Sequence, residues 1–298
     1  MRTIEVDDAR VAYLDTGDGE PVVLLHSSAS NSGQWRDLGT RIGDRYRVVA
    51  PDLYGYGGTD AWSGRGPLAL ADEARLVAAV TDRIEGPFHL VGHSYGAAVA
   101  LRVALESRHR LRTLTLIEPI ALHLLRNRGT RERALFSEVA GIAAVVNEAA
   151  VSGDYWGGME RFVDYWNGPG TWRGLAAKTQ MALARCTAKV LLDFWSTMTE
   201  RTPLEGYGAI QVPTLVLYGD RTPATTRRVA ELLSENIPEA ELAMITEAGH
   251  MLPLTHAELV GELIAGHLEA SPIEGTSDVV AEASAFAPEF ELLRGRQF

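Results

Sequence analysis

Residues 88–105 read FHLVGHSYGAAVALRVAL, in which an apolar run, a turn of small residues and a helical run follow one another directly. The pattern predicts a buried strand, a sharp turn that carries Ser94, and a helix whose N-terminus is aimed at that serine. Gly92 and Gly96 suit this turn because strand and helix approach each other too closely for side chains. Because a helix N-terminus favours developing negative charge, we predict that Ser94 is the nucleophile of a serine hydrolase. The competing interpretation is a serine on an ordinary tight turn.

The rest of the chain alternates between strand-like and helix-like segments. Apolar, β-branched runs predict strands that are buried on both faces, at 22–25, 47–50, 88–91, 114–117 and 214–217. Apolar residues at three- and four-residue spacing predict helices at 69–84, 95–107, 226–235 and 257–268. This alternation is typical of an α/β protein with a mostly parallel sheet, in which ligands bind at the carboxyl ends of the strands.

The alternation stops between about residues 120 and 205, where several helical segments follow one another without a strand. We therefore predict a core formed by residues 1–119 and 206–270, with residues 120–205 inserted as a helical cap. Residues 271–298 are rich in Glu, Ala, Ser and Pro and end in scattered aromatic residues. They are predicted to form a flexible tail, whose end could pack on the body of the protein or on a second subunit of a homodimer.

The overall composition limits the classes of partner. The chain has 298 residues, is 46% hydrophobic and carries a formal net charge of −11, which argues against binding to nucleic acid or to an anionic membrane. Cys186 is the single cysteine, which suits a reducing compartment. The charged N-terminus lacks the apolar run of a signal peptide. We expect a soluble cytoplasmic protein that acts on a small molecule.

Several separated motifs resemble the α/β-hydrolase superfamily, and the resemblance extends to about Leu268. The turn around Ser94 matches the Gly-x-Ser-x-Gly motif of that superfamily. The sequence His-Ser-Ser at 26–28 stands where relatives usually have His-Gly-x, and the loop 52–59, DLYGYGGT, resembles their Asp-x-x-Gly-x-Gly-x-Ser loop. The resemblance implies the α/β-hydrolase fold, a mostly parallel central sheet flanked by helices with an inserted helical cap.

The same resemblance implies an oxyanion hole. The backbone N–H groups of Ser28 and Tyr95, the residue after the nucleophile, would hold the negative oxygen. Ser27 replaces the usual glycine of this loop. His26 is interpreted as a structural residue of the loop rather than as a base.

The position of His250 favours it as the general base among the eight histidines. It follows a strand-like run, residues 242–246, and precedes the last predicted helix. A neutral imidazole at this place would take the proton of Ser94 and later protonate the leaving group. His256 is the main alternative, but it is better explained as a residue at the start of the last helix.

The acidic member of the triad departs from the usual pattern. Relatives carry Gly-x-x-Asp after the strand that corresponds to residues 215–218, whereas this chain has Thr222 at the acid position. Glu118 ends the sixth strand, at the same edge of the sheet, and some relatives carry their acid there. We predict Glu118 as the triad acid, with Asp220 as the alternative. The competing interpretation of Glu118 is a buried carboxylate that anchors the hinge of the cap.

These assignments predict hydrolysis of a small, partly apolar carboxylic ester or lactone through an acyl-enzyme, without a metal or another cofactor. Cleavage of a carbon–carbon bond or a thioester would use the same residues, and a non-hydrolytic ligand-binding protein, lyase or cyclase on this fold is the alternative of another class. A serine nucleophile argues against a dehalogenase or epoxide hydrolase, which need a carboxylate. Aromatic residues predicted to contact the substrate are Trp35, Tyr54, Trp156, Phe162 and Trp166.

Overall fold

The computed structural model describes residues 1–64 and 66–270. In these residues it has eight strands: β1 (Arg2–Val6), β2 (Ala9–Thr16), β3 (Glu20–Leu25), β4 (Tyr46–Pro51), β5 (Phe88–His93), β6 (Leu111–Ile117), β7 (Thr214–Gly219) and β8 (Ala240–Ile245). They form one sheet in the order β1-β2-β4-β3-β5-β6-β7-β8. β1 and β2 pair antiparallel, β2 pairs antiparallel with β4, and the pairings from β4 to β8 are parallel. The chain therefore has the predicted α/β architecture.

The helices cover both faces of this sheet. In the described residues they are α1 (Arg36–Ile42), α2 (Leu70–Thr81), α3 (Tyr95–Glu106), α4 (His123–Arg126), α5 (Thr130–Ser152), α6 (Tyr155–Asn167), α7 (Thr171–Gly174), α8 (Ala177–Ala184), α9 (Thr187–Thr199), α10 (Ala224–Asn236), α11 (Leu252–Thr255) and α12 (Ala257–Glu269). Short 3₁₀ turns occupy Ser32–Trp35, Arg108–Arg110 and Leu204–Ala209.

The alternation of side chains along each strand divides the core between these two faces. On β3, Val22 and Leu24 pack in one cluster with residues of α1 and α12. Val23 and Leu25 pack in the other cluster with residues of α2, α3 and α10. Because successive strand residues point to opposite faces, a strand covered on both sides must be apolar throughout, which explains the continuous runs in the sequence.

The N-terminal hairpin was not among the predicted strands. Its two strands pair in register from Arg2 with Tyr13 to Val6 with Ala9. Only part of each strand is buried, with Ile4 and Val6 in the core and their neighbours exposed. The sequence therefore alternates between apolar and charged residues instead of forming the continuous apolar run that marks the central strands.

Helices α4 to α9 lie between β6 and β7, and we call this group the cap. The group begins at His123 and ends at Thr199. Helix α5 is long and apolar enough, by length and composition alone, to cross a membrane. Its buried residues, which include Val139 and Val146, pack in the main core cluster, and α5 contacts α4, α6, α9 and α10. The predicted tail, 271–298, lies outside the described residues.

Candidate active site

Ser94 stands at the junction of β5 and α3 in a strained backbone conformation. Its φ is 55° and its ψ is −113°, a backbone conformation that residues other than glycine rarely adopt. The Ser94 N–H donates to the Ile117 carbonyl at 2.8 Å, which holds the strained residue against β6. A Cβ on Gly96 would lie 2.3 Å from the Leu25 carbonyl oxygen, and one on Gly92 would lie 2.4 Å from the Gly96 carbonyl oxygen. The motif therefore needs both glycines.

Ser94, His250 and Glu118 form one chain of hydrogen bonds, although they are far apart in the sequence. The Ser94 hydroxyl lies 2.8 Å from His250 Nε2. His250 Nδ1 lies 2.9 Å from Glu118 Oε2. All three residues are buried. The carboxylate fixes the tautomer in which Nδ1 carries the proton, which leaves Nε2 free to accept the proton of the serine.

Glu118 is held by three donors at the carboxyl edge of the sheet. The Gly219 N–H donates to Glu118 Oε1 at 2.7 Å, and the Thr222 hydroxyl and His250 donate to Oε2. Glu118 itself has a φ of 50°, and its own N–H donates to the Leu217 carbonyl at 2.8 Å. Thr222, which stands where the family resemblance led us to expect an acid, therefore contacts the carboxylate that comes from the neighbouring strand.

The two alternative residues do not join this hydrogen-bonded chain. The Asp220 N–H donates to the Ile245 carbonyl at 3.0 Å, its carbonyl accepts from Arg227, and its Oδ1 has no hydrogen-bond partner among the described residues. His256 lies at the start of α12, with Nδ1 2.9 Å from the Thr255 hydroxyl. The structure thus brings Glu118 to His250 and leaves Asp220 and His256 in local contacts.

A second histidine contacts the backbone of His250. His93 directly precedes Ser94, and its Nε2 lies 2.8 Å from the His250 carbonyl oxygen. Burial lowers the pKa of His93 to about 3, so its imidazole is neutral and donates this hydrogen bond through Nε2–H. Sequence reasoning missed this residue, because the motif treats the position before the serine as variable.

The predicted oxyanion loop is fixed by its own polar side chains. The Ser27 hydroxyl and N–H both donate to Gln34 Oε1, at 2.8 and 3.1 Å. His26 Nδ1 donates to the Ser27 carbonyl at 2.8 Å, while Nε2 accepts from the Leu53 N–H at 3.0 Å. Burial lowers the pKa of His26 to about 4, which agrees with a neutral, structural imidazole. The loop leads to Ser28, and Tyr95 begins α3 on the other side of Ser94.

A cavity of about 700 Å³ lies between the cap and the loops around His250. Its wall is largely apolar and includes Phe162, Val163, Leu175, Leu183, Met251 and Leu254, with Ser27 to Ser30 on the side of the oxyanion loop. Trp166 stacks on His250, with ring centroids 4.7 Å apart and planes at 26°. This ring covers one face of the imidazole, where it can stabilise a positive charge.

Of the five aromatic residues predicted to contact the substrate, only Phe162 is among the residues that line this cavity; Trp166 lies against His250, and the other three make contacts elsewhere. Trp35 packs in the core cluster between the sheet and α1. Tyr54 is buried in the other cluster and packs edge-on against Trp62, with centroids 5.2 Å apart. Trp156 is exposed on the cap, edge-on to Trp172. Aromatic character alone does not separate core packing from pocket lining, and here core packing accounts for Trp35 and Tyr54 but not for the exposed Trp156.

In the part of the chain that the structure describes, no group of three or more His, Cys, Asp or Glu side chains is arranged to hold a metal ion.

The fold and this arrangement agree with comparisons to known proteins. The model of the alpha/beta hydrolase family matches residues 22–263, so the chain belongs to this family. It is 31% identical over 116 residues to haloalkane dehalogenase 2 of Mycobacterium bovis, a match that spans 39% of this chain and only 40% of that relative. It is 24% identical over 245 residues to the pimeloyl-(acyl-carrier protein) methyl ester esterase of Nitrosomonas europaea, covering 79% of this chain and 90% of the relative.

Solved structures show the same fold. The structure described as Est816, an N-acyl homoserine lactone degrading enzyme, superposes with a TM-score of 0.69 at 22% identity, covering 89% of this chain and 99% of that one. Together with the family match, this likeness places the chain in the alpha/beta hydrolase family and its fold.

Proposed function

We propose that the protein hydrolyses a small, partly apolar carboxylic ester or lactone through an acyl-enzyme on Ser94. The observation that carries the proposal is the unbroken hydrogen-bonded chain from Ser94 through His250 to Glu118. A serine, a base and an orienting carboxylate within hydrogen-bond reach are the parts that nucleophilic catalysis of acyl transfer requires.

Acylation follows from the polarity of these contacts. As Ser94 Oγ forms a bond to the acyl carbon, His250 Nε2 accepts the hydroxyl proton. The imidazolium that forms is stabilised by the Glu118 carboxylate. When the tetrahedral intermediate collapses, the ester C–O bond breaks and His250 returns the proton to the leaving alcohol oxygen. In a lactone, that oxygen stays attached to the acyl group.

Deacylation repeats these steps with water. His250 takes a proton from the water as its oxygen attacks the acyl carbon, and it then protonates Ser94 Oγ as the carboxylic acid leaves. In both halves the negative carbonyl oxygen would lie between the N–H groups of Ser28 and Tyr95. The N-terminal end of α3 adds a favourable dipole to this position.

The cavity supports an uncharged substrate of modest size. Its largely apolar wall gains from contact with a hydrocarbon acyl or alkoxy group, whereas a buried charge would need a partner. Arg221 and Glu247, at its edge, pair with each other at 3.1 Å. The dehalogenase relative does not change this proposal, because displacement of a halide to form an alkyl ester needs a carboxylate where this chain has Ser94.

The test is a panel of p-nitrophenyl esters from acetate to octanoate, together with aliphatic lactones. We expect kcat/KM to rise with acyl length until the cavity is filled and then to fall. Ser94→Ala should abolish turnover. Ser137→Ala is the matched control, because that hydroxyl is exposed and contacts only the carbonyl of Arg133 in its own helix. Turnover of Ser94→Ala at the wild-type rate would refute the proposal.

A further inference from the structure

Three charged side chains are buried together between the cap and the core, outside the chain of hydrogen bonds that joins the triad. Lys189, Glu73 and Asp193 have exposed fractions of 7%, 0% and 2%. Lys189 Nζ lies 3.1 Å from Glu73 Oε1, and it also contacts Asp193 Oδ1. We call these three residues the buried charge cluster. Ionisable groups are costly to bury without partners, so this arrangement calls for an explanation.

The cluster joins two separate parts of the chain. Glu73 lies on α2, which packs on the sheet, whereas Lys189 and Asp193 lie one turn apart on the cap helix α9. Burial alone would lower the pKa of Lys189, but the two carboxylates outweigh burial and raise it. Lys189 is therefore charged and ties α9 to α2.

On one side, the cluster holds the side chain of a predicted oxyanion-hole residue. The Ser28 hydroxyl donates to Asp193 Oδ2 at 2.6 Å, and the Tyr56 hydroxyl donates to the same oxygen at 2.6 Å. Short hydrogen bonds to a buried carboxylate are strong and directional. They fix the position of Ser28 relative to α9.

On the other side, the cluster holds the second predicted oxyanion-hole residue. The Tyr95 hydroxyl donates to Glu73 Oε1 at 3.2 Å and accepts from the Ser196 hydroxyl of α9 at 3.3 Å. Lys189 Nζ lies 4.5 Å from the centroid of the Tyr95 ring, within the range of a cation–π contact. Tyr95 is thus tied both to α2 and to the cap.

We propose that the buried charge cluster sets the spacing of the oxyanion hole, so that cap helix α9 takes part in catalysis through Lys189 and Asp193 as positioning residues. The backbone N–H groups of Ser28 and Tyr95 donate to the negative oxygen, and their side-chain hydroxyls donate to the carboxylates of the cluster. The inference rests on the proposed function, because it assigns a role to residues that support the same oxyanion. A displaced cap would move both N–H donors, and the transition state would lose more stabilisation than the bound substrate.

The direct test removes the side-chain links and keeps the backbone donors. Ser28→Ala deletes the contact with Asp193, and Tyr95→Phe deletes the contacts with Glu73 and Ser196. For each variant we expect kcat for a p-nitrophenyl ester to fall about tenfold with KM changed less than about twofold, since displacement of a donor costs less than its loss. The matched control is Thr199→Ala on α9, whose hydroxyl contacts only the Trp195 carbonyl of its own helix.

Two further measurements separate positioning from general stability. The affinity for a boronic acid, which mimics the tetrahedral intermediate, should weaken about tenfold in Ser28→Ala and Tyr95→Phe, while the affinity for the carboxylic acid product stays unchanged. Asp193→Asn keeps the shape of the side chain and removes its charge, and it should weaken boronic acid binding in the same way if it folds.

The outcomes distinguish the inference from the proposed function. If wild-type protein hydrolyses esters and folded Ser28→Ala and Tyr95→Phe retain wild-type kcat and boronic acid affinity, the inference is overturned and the proposed function stands. If wild-type protein neither hydrolyses an ester nor binds a boronic acid, the proposed function fails and the inference fails with it. A selective loss of kcat and boronic acid affinity in both variants supports it.

Discussion

Replacement of Glu118 by glutamine tests the unusual position of the acid. The carboxylate accepts three hydrogen bonds, from the Gly219 N–H, the Thr222 hydroxyl and His250 Nδ1–H. A glutamine amide has one oxygen and one NH₂ group, so it cannot accept from both sides of this site. If its oxygen faces Gly219, the NH₂ group faces Nδ1 and favours the tautomer with a proton on Nε2. That tautomer cannot accept the proton of the serine.

In the opposite orientation of the glutamine amide, a hydrogen bond is lost at Gly219. The NH₂ group then faces the buried Gly219 N–H, and two unsatisfied donors cost about 1–3 kcal/mol. In either orientation the imidazolium loses a charged hydrogen-bond partner worth about 1.5–3 kcal/mol. The sum, about 2.5–6 kcal/mol, corresponds to a decrease of roughly 10²- to 10⁴-fold in kcat for Glu118→Gln.

The assay is steady-state hydrolysis of the best p-nitrophenyl ester, with the thermal unfolding midpoint measured alongside to show that the variant is folded. Asp220→Asn is the matched control and should keep kcat within about threefold, because the Asp220 side chain is not among the hydrogen-bond partners of Glu118 or His250. A folded Glu118→Gln variant with near-normal kcat would show that Glu118 is not the acid, and an Asp220→Asn variant with a loss of that size would point to Asp220 instead.

Thr222→Val removes a hydroxyl donor to the acid and should lower kcat about tenfold, measured on the same ester; an unchanged rate would show that the threonine does not hold the acid. Gly96→Ala places a Cβ against the Leu25 carbonyl and should lower the free energy of unfolding by at least about 2 kcal/mol in urea titrations; wild-type stability would contradict the close approach. Burial lowers the pKa of His26 from 6.5 to about 4 and that of His93 from 6.5 to about 3. Below about pH 6.5 the unfolded chain therefore binds more protons than the folded chain. The free energy of unfolding should therefore fall as the pH drops below about 6.5, by about 1.4 kcal/mol per pH unit for each histidine, and a value independent of pH between 7 and 5 would refute this.

The sequence allowed the local features of the site to be predicted. Ser94 is marked by glycines two residues away on each side, whose role is steric and therefore visible in the chain itself. His250 and Glu118 were predicted from their places at the ends of strands, because parallel strands bring their carboxyl ends to one edge of the sheet. The structure brings all three residues within hydrogen-bond distance.

The contacts between cap and core could not be predicted in the same way. Lys189 and Asp193 on a helix look like an ordinary pair of exposed charges one turn apart, and only the fold shows that Glu73, 116 residues earlier, faces them. The same limit explains why Trp35 was predicted to contact the substrate. Its aromatic side chain suits a pocket, but it packs in the core cluster between the sheet and α1. Side-chain partners at long separation depend on packing that no local pattern encodes.

We propose that Ser94 is a nucleophile activated by His250. Reaction with a fluorophosphonate reports this activation, because a bond forms from Ser94 Oγ to phosphorus while fluoride leaves and the proton passes to His250. Intact-protein mass spectrometry with peptide mapping should find one phosphonyl group, on Ser94, in the wild-type protein and none in folded Ser94→Ala or His250→Ala. Wild-type protein that hydrolyses esters but remains unlabelled at Ser94 would contradict the account.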